Sequence, residues 1–517
     1  MYPGIHASSA PDRPAVIVAG TNDVLTYSQL ESRSVKLSNA LRDRGLQLGD
    51  VVALLSTNST EMFVVYWACL RSGLYLTPVN THLSSSEIAY IVDDCGAKAL
   101  VVSDDLAGVA DVARQASRGV RIALAYGGES VPGFEDYERF LHTGSDVAPA
   151  EQPRGADMLY SSGTTGRPKG VKPPLPARQV GDVGDPYVAV FGGTYKMSAD
   201  TVYFSPAPLY HAAPLRFGMI THSLGGTVIT AEHFDAEESM RIIDRYRVTH
   251  SQWVPTHFVR MLRLPQRVRD SYDVSSLQYA VHAAAPCPTE VKSRMMEWFG
   301  PILHEYYSST EANGITMVDP AEWSEKHGTV GRAKLGVIRV CGDDGAELPA
   351  GESGVVYFER DARPFEYHND PEKTVEAQHR DHPNWTTCGD IGYLDEDGFL
   401  FLNDRKAFTI ISGGVNIYPQ EIENCLALHP EVEDVAVIGV PDDEFGERVL
   451  AAVQLVVGVA GDEDMTRRLQ EFVREHLAGY KVPRDVRFVE TVPRTPTGKL
   501  VKGPLRDRFA EESRLTP

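Results

Sequence analysis

Residues 160–170 carry a high density of groups that could hold phosphate. Their sequence is Tyr-Ser-Ser-Gly-Thr-Thr-Gly-Arg-Pro-Lys-Gly, which contains three glycines, four Ser or Thr hydroxyls and two cations. Glycines let the backbone turn and bring its N–H groups close to anionic oxygens. Hydroxyls donate hydrogen bonds to such oxygens, and Lys169 and Arg167 add positive charge. The segment therefore predicts a phosphate-binding loop.

Two alternatives to this interpretation were weighed. Most glycine-rich loops are flexible, solvated turns, but few of them combine so many phosphate-suited groups. A Walker A loop needs Gly-Lys followed by Ser or Thr, whereas Lys169 lies between Pro168 and Gly170. The chain also has no HExxH pair of the kind that binds zinc in metalloproteases.

Five further segments carry residues that could do chemistry. Each has an ordinary structural explanation when it is taken alone, and only their joint occurrence with the loop favours a shared site. The segments are Pro208–His211, Ala283–Pro286, Tyr306–Glu311, Thr387–Asp390 and Pro496–Lys499.

The elements that must position these segments alternate between strands and helices. Ser28 with Glu31 predicts a capping box for a helix that ends near Gly45, and Ser84 with Glu87 predicts another. Short apolar runs at 51–55 and 98–102 predict strands. Such alternation is typical of a layered α/β domain with a parallel sheet.

Later parts of the chain divide into a second α/β unit, a β-rich unit and a C-terminal unit. Strand-like runs at 202–204, 227–229 and 251–254 belong to the second α/β unit. From about 330 to 403, short runs separated by Asp/Gly turns predict a small antiparallel, barrel-like unit. We expect an N-terminal domain over residues 1–403, a hinge at 404–407 and an α+β C-terminal domain over 408–517.

Composition restricts the class of protein. The chain has 517 residues and a net charge of −21, which argues against nucleic acid as the main partner. Six scattered cysteines form no CxxC pair, so reduced thiols are expected. The N-terminus lacks a signal-peptide pattern, and the longest apolar run, 62–70, is too short to cross a bilayer. A cytoplasmic protein without an integral membrane segment is the expectation.

In this order, the motifs resemble those of the adenylate-forming superfamily, which includes acyl-CoA synthetases, nonribosomal-peptide adenylation domains and luciferases. The resemblance covers about residues 10–509 and is carried by the loop, Thr310-Glu311, Gly389-Asp390, Asp404-Arg405 and Pro496–Lys499. Residues 413–419 resemble the acyl-CoA synthetase branch in particular.

The resemblance implies roles for individual residues. Tyr307 would stack on adenine, Thr310 would contact the α-phosphate, Glu311 would bind Mg²⁺, and Lys499 would bridge the acid and the α-phosphate during catalysis. The ATP-binding residues would be Ser161, Ser162, Gly163, Thr164, Thr165, Lys169, Ala283, Ala284, Ala285, Tyr307, Asp390 and Arg405. The catalytic residues would be Lys499, His211 and Thr310. His211, Trp253 and Ser308 would border the acyl pocket, and Gly413 and Gly414 would contact CoA.

The activity that the resemblance implies is ATP-dependent activation of a carboxylic acid to an acyl-adenylate, followed by acyl transfer to CoA. The C-terminal domain would be mobile and would rotate about the hinge between the two steps. Transfer to an amine, by an amide bond synthetase, is the alternative, and a non-catalytic module is a third hypothesis that the intact motifs argue against. A homodimer is compatible with the resemblance.

Two pairs of residues depart from the superfamily's pattern. Ala407 and Phe408 stand where Lys or an acid is frequent, which leaves the hinge residue open. Ser308 and Ser309 stand where a glycine is usual, which predicts a narrower or more polar acyl pocket. The identity of the acid does not follow from the sequence.

Overall fold

The computed structural model describes residues 1–161, 168–405, 408–413, 415–442, 445–494 and 500–515. The elements of the first third are α1 (Pro3–Ser9), β1 (Pro14–Ala19), β2 (Asp23–Thr26), α2 (Tyr27–Asp43), β3 (Val51–Leu55), α3 (Thr60–Leu70), β4 (Tyr75–Val79), α4 (Ser85–Asp94), β5 (Ala99–Ser103), α5 (Ala107–Ala116), β6 (Ile122–Tyr126), β7 (Glu135–Asp136), α6 (Tyr137–Leu141), β8 (Ala156–Asp157), β9 (Leu159–Ser161) and β10 (Lys169–Lys172).

A parallel six-stranded sheet forms the first layer set, in the strand order β7-β6-β5-β3-β4-β8. Every residue of β3, β4 and β5 is buried. Strands covered on both faces are apolar along their whole length, which explains why these runs show no alternation with polar residues.

The middle of the chain builds a second, larger sheet. Its elements are β11 (Val202–Ser205), α7 (Ala212–Leu224), β12 (Thr227–Ala231), α8 (Ala236–Tyr246), β13 (His250–Trp253), α9 (Pro255–Leu262), α10 (Gln266–Arg269), β14 (Tyr279–His282), α11 (Thr289–Phe299), β15 (Leu303–Tyr307), β16 (Ile315–Val318), α12 (Pro320–Glu325), β17 (Thr329–Leu335), β18 (Val337–Cys341), β19 (Gly354–Glu359), β20 (Glu366–Tyr367), α13 (Pro371–Glu376), β21 (Trp385–Thr386), β22 (Asp390–Leu394) and β23 (Leu400–Arg405).

The β-rich unit is continuous with this second sheet. The strand order is β18-β19-β22-β23-β17-β16-β15-β14-β13-β11-β12-β1-β2. Strands β1 and β11 to β15 are parallel to one another, whereas β16 to β19, β22 and β23 are antiparallel. Since β17 pairs with both β16 and β23, one hydrogen-bonded ribbon joins the α/β part to the antiparallel part.

The C-terminal unit has its own sheet and cores. It contains β24 (Ile410–Ser412), β25 (Val415–Ile417), α14 (Pro419–Leu426), β26 (Val432–Asp442), β27 (Gly446–Leu455), α15 (Glu463–His476), β28 (Asp485–Phe488) and α16 (Gly503–Leu515). Two core clusters, 410–488 and 436–509, take all their members from this unit. The α/β class and the large and small parts of the chain are as the sequence predicted.

One capping prediction is wrong. Helix α2 begins at Tyr27, and its capping box joins Thr26 with Gln29 instead of Ser28 with Glu31. Glu31 lies farther into the helix and pairs with Arg71, whose side chain is fully buried. Thr26 is also a favourable cap by residue type, and Gln29 supplies the reciprocal bond, so the box forms two residues earlier than predicted. The capping box of Ser84 and Glu87 is confirmed.

Within the described ranges, no helix is both long enough and apolar enough to span a bilayer.

A single buried amide joins the two large sheets. Asn58, between β3 and α3, is 6% exposed. Its Nδ2 donates to the carbonyl oxygens of Ala207 at 3.1 Å and Ala231 at 2.8 Å, and its Oδ1 accepts from the Leu209 N–H at 2.7 Å. Ala231 ends β12, and residues 207–209 follow β11, so this side chain fixes the first sheet against the segment that leads to His211.

We predict that Asn58→Asp lowers the free energy of unfolding by about 3–5 kcal/mol, because a carboxylate replaces a donor that faces buried carbonyl oxygens. Urea unfolding followed by circular dichroism measures the change. Asn39→Asp is the matched control, since Asn39 Nδ2 also donates to two carbonyls, of Ser145 and Val147, but at the surface. There water replaces the bonds, and we expect a change within about 0.5 kcal/mol. Equal midpoints for the two variants would contradict the prediction.

Candidate active site

The candidate residues lie where parallel strands of the second sheet end. His211 follows β11, Ala283 follows β14, and Ser308 to Glu311 follow β15. Strands β13, β14 and β15 are parallel neighbours in register, so their carboxyl ends meet at one edge. In open α/β sheets, ligands bind in the crevice outside this edge.

Glu311 is linked to the end of the phosphate-loop segment through a residue that the sequence did not reveal. The Tyr367 hydroxyl donates to Glu311 Oε1 at 2.9 Å, and Lys169 Nζ lies 5.5 Å from the Tyr367 ring centroid. The link exists because β20, which contains Tyr367, pairs with β10, which begins at Lys169. A tyrosine in a two-residue strand gives no sequence signal of this role.

Tyr307 and Asp390 meet although 83 residues separate them. The Tyr307 hydroxyl donates to Asp390 Oδ2 at 2.5 Å, and Asp390 is 8% exposed. Asp390 also pairs with Arg405 in the β22–β23 ladder, which brings the backbone of a third predicted ATP residue alongside. The two residues that the sequence assigned to adenine and ribose therefore share one location.

Thr310 contacts a buried ion pair that sequence reasoning missed. Arg216 Nη2 lies 3.5 Å from the Thr310 carbonyl oxygen, and Arg216 Nε and Nη2 donate to Asp157 Oδ2 at 3.0 and 2.7 Å. The Tyr66 hydroxyl donates to the other oxygen of Asp157 at 3.2 Å. Burial lowers the pKa of Arg216, but the attraction of Asp157 outweighs it, and the pKa lies above its ordinary value. The guanidinium is therefore a fixed positive charge beside the Thr310 turn.

A second buried ion pair lies beneath the alanine turn. Lys292 Nζ donates to Glu305 Oε2 at 2.6 Å, and both side chains are buried. The adjacent His282 is fully buried, and burial together with Lys292 holds its pKa well below the ordinary value, so the imidazole is neutral. His282 directly precedes Ala283, and Ala284 adopts a φ of 75°. These groups fix the strand ends from which the alanine turn and Tyr307 emerge.

Of the three residues assigned to the acyl pocket, two lie at this edge. His211 is the N-cap of α7 and is partly exposed, and its ring centroid is 4.6 Å from that of Tyr210. Ser308 follows β15, and its hydroxyl donates to the Gly314 carbonyl at 2.8 Å. That hydroxyl is therefore bonded to the backbone of its own turn.

Trp253 does not join them, contrary to the sequence interpretation. Its indole is 1% exposed and packs against Phe204 and Phe258 in the core on the other face of the sheet. Because side chains alternate along a strand, Gln252 takes the opposite face, where it bonds to the hydroxyls of Tyr203 and Tyr306.

Several predicted residues lie outside the described residues: Ser162, Gly163, Thr164, Thr165, Gly414 and Lys499. The backbone of Ser161 pairs with Lys169 in the β9–β10 ladder. Gly413 has a φ of 57°, and its N–H donates to the Phe445 carbonyl at 2.8 Å. Added at Gly413, a Cβ would lie 3.0 Å from the Phe445 ring.

Two ion pairs involve described residues on either side of positions 495–499. Arg494 and Leu500 form an antiparallel bridge, and Arg494 binds Asp434 in a bidentate pair at 2.6 and 2.7 Å. Lys502 is 5% exposed, and its Nζ lies 2.8 Å from Glu423 Oε1 and 5.1 Å from the Phe408 ring centroid. Lys502 thus contacts both α14, through Glu423, and Phe408.

Comparisons with known proteins place the chain in a family. Residues 5–362 match the model of the AMP-binding enzyme, and residues 421–499 match that of the AMP-binding enzyme C-terminal domain. A feruloyl-CoA synthase from Amycolatopsis sp is 34% identical, over 98% of each chain. The amide bond synthetase McbA from Marinactinospora thermotolerans superposes with a TM-score of 0.81 at 27% identity, over 98% of this chain and 100% of its own. ATP-bound MatB from Rhodopseudomonas palustris superposes with a TM-score of 0.82 at 28% identity, over 99% of this chain and 100% of its own.

We predict that Lys502→Met costs about 3–5 kcal/mol of stability in the C-terminal unit, because it leaves Glu423 buried without its counter-charge. Burial already raises the pKa of Glu423 despite Lys502, so the lone carboxyl would take up a proton at still higher pH. Urea unfolding measures the loss. The control is Lys373→Met, which removes an exposed pair with Glu376 and should leave the midpoint unchanged. A Lys502→Met midpoint equal to that of the wild type would contradict the prediction.

Proposed function

This chain belongs to the AMP-binding enzyme family, and on that premise we propose that it activates a carboxylic acid with ATP to an acyl-adenylate and transfers the acyl group to the thiol of CoA. In the transfer, a thioester bond forms, the thiol loses its proton and AMP leaves. It is an adenylate-forming ligase, since the family model and the relatives together cover nearly the whole chain. The observation that supports ATP-dependent activation is that residues proposed to bind ATP lie in contact with one another. Tyr307 contacts Asp390, and Tyr367 contacts both Glu311 and Lys169.

In the first step, a carboxylate oxygen attacks the α-phosphorus of ATP, a new P–O bond forms, and pyrophosphate leaves. Two anions must meet, so catalysis depends mainly on positioning and on neutralising charge. We assign Lys169, with Ser161, Ser162, Gly163, Thr164 and Thr165, to the phosphates. Lys499 would neutralise the carboxylate and the α-phosphate together.

The nucleoside would bind at the strand ends. Tyr307 would stack on adenine beside residues 283–285, while Asp390 would accept hydrogen bonds from the ribose hydroxyls with help from Arg405. Because the Tyr307 hydroxyl already bonds to Asp390, its ring is fixed in orientation before the base arrives. Thr310 would contact the α-phosphate, and the fixed charge of Arg216 supports this assignment, since it lies behind the carbonyl of the same residue.

Glu311 fits a magnesium ligand. Its Oε1 accepts from Tyr367, and among the described residues Oε2 has no hydrogen-bond donor. The described residues also contain no group of three or more His, Cys, Asp or Glu side chains that could hold a metal. One carboxylate with substrate phosphates and water is the set that Mg²⁺ prefers. When bound, Mg²⁺ would offset the negative charge of the phosphates.

The C-terminal unit, residues 408–517, would deliver Lys499 and then rotate about 404–407 to admit the thiol. Asp404 Oδ2 accepts from the Gln420 N–H at 3.1 Å, so the start of this hinge is already bonded to α14. Domain closure about a short segment is a common way to separate two half-reactions.

We predict that Lys499→Ala slows acid-dependent pyrophosphate release by about 10²–10³-fold, the usual cost of removing one preorganised donor. Coupled detection of pyrophosphate across a panel of carboxylic acids measures the rate. Lys373→Ala, which changes an exposed lysine that pairs with Glu376 on α13, is the control and should retain the wild-type rate. An unchanged rate in Lys499→Ala would remove this lysine from the first step.

Amide formation is the second candidate, because McbA is a structural neighbour. We expect thioester as the main product, since residues 413–419 resemble those of CoA ligases and the feruloyl-CoA synthase is a relative over its full length. Mass spectrometry of a reaction that offers CoA and a mixture of amines together measures the two products. A predominance of amide would reject CoA as the acceptor while leaving the adenylation step in place.

A further inference from the structure

Three aromatic rings close the space between α7 and the second sheet. The ring centroids of Phe191 and Phe217 are 4.9 Å apart, those of Phe191 and Tyr306 are 5.0 Å apart, and those of Phe217 and Tyr306 are 5.9 Å apart. Their exposures are 4%, 3% and 7%, respectively. We call these three residues the aromatic floor.

The floor lies directly below the residues proposed to border the acyl group. Tyr306 lies near the end of β15, and Ser308 follows the strand two residues later, so at most about 7 Å of chain separates their Cα atoms. On α7, Ala213 is partly exposed near His211, and Phe217 lies one turn further, about 6 Å along the axis. Both segments therefore put the floor about 6–7 Å from the residues that are proposed to form the upper rim of the acyl pocket.

Phe191 reaches this position from a distorted helical segment. Residues Val188–Gly192 form a π-helical turn. Such turns are rare in proteins as a whole, and many of those that occur lie at functional sites. The turn places Phe191 against both Phe217 and Tyr306, so it completes the floor from the third side.

Behind the floor the structure is filled. Tyr203 packs on Phe217 at 5.8 Å, and the hydroxyls of Tyr203 and Tyr306 both bond to Gln252, at 3.0 and 3.3 Å. Tyr195 also packs against Phe191 and Phe217. These side chains belong to one buried cluster, so packed side chains lie behind the rings.

We propose that the aromatic floor sets the length of the acid, so that the enzyme accepts compact acids with one aromatic ring or a short chain and rejects long-chain fatty acids. The inference rests on the proposed function, because it takes His211 and Ser308 as the upper rim of the acyl pocket. About 6–7 Å of depth holds a ring or a short chain, and an extended long chain would have to displace buried aromatic side chains.

Pyrophosphate release with benzoate, hexanoate, dodecanoate and hexadecanoate tests the proposal. We expect kcat/KM for benzoate or hexanoate to exceed that for hexadecanoate by at least about tenfold, the discrimination that misfit in an apolar pocket can supply. Equal or higher kcat/KM for hexadecanoate would overturn the floor proposal while supporting adenylation. Absence of release with every acid, including a wider panel, would overturn both.

Two variants test whether the floor is the cause. Phe217→Leu and Phe191→Leu should raise the ratio of kcat/KM for dodecanoate over hexanoate by about tenfold, because they deepen the pocket. Phe204→Leu is the matched control, since Phe204 is equally buried but packs on the other face of the sheet, against Trp253. It should lower stability to a similar degree and leave the ratio unchanged. The same shift in all three variants, or no shift in the first two, would overturn the proposal.

Discussion

The position of the whole site depends on the buried amide of Asn58. The two sheets share a large apolar core, and apolar packing alone does not define a unique register, so polar contacts such as those of Asn58 and of Asp157 with Arg216 fix it. The amide supplies donors and an acceptor to groups on the far sheet, and each of these bonds is costly to leave unmade in a buried place. Because its partners flank the segment between β11 and His211, this interaction sets where α7 begins. The depth of any pocket between α7 and β15 follows from that starting point.

Buried ion pairs recur at the points where the chain must hold a functional turn. One lies beside Thr310, one lies beneath the alanine turn, and one joins Lys502 to Glu423 in the C-terminal unit. Burying a charge pair seldom adds net stability compared with apolar packing, since desolvation offsets the attraction. Its effect is geometric, because a charged partner left alone is far less stable than the intact pair. The protein therefore uses these pairs where orientation matters, and it packs its sheets with ordinary apolar side chains.

Sequence patterns predicted the classes of element, whereas the sheet edge at which the candidate residues gather became visible only in the structure. Buried parallel strands and the capping box at Ser84 have local causes, so local patterns detect them. Trp253 and the Ser28 box failed because each depended on a choice between neighbouring positions. In a four-residue strand, the face that a side chain takes changes with a shift of one residue, and apolarity alone does not fix the shift. Tyr367, Arg216 and Asp157 had no signal at all, since common residue types became significant only through contacts over long separations.

The origin of the floor rings has a consequence for how such a protein can diverge. Two of the three rings come from helical segments, whereas Tyr307 and Asp390 lie on or next to strands of one continuous ribbon. A substitution at Phe191 or Phe217 leaves every ladder hydrogen bond of that ribbon in place. Changes in acid specificity can therefore arise at a few helical positions while the proposed nucleotide contacts stay unchanged. Duplicated genes could in this way acquire different acid substrates and keep the same ATP site.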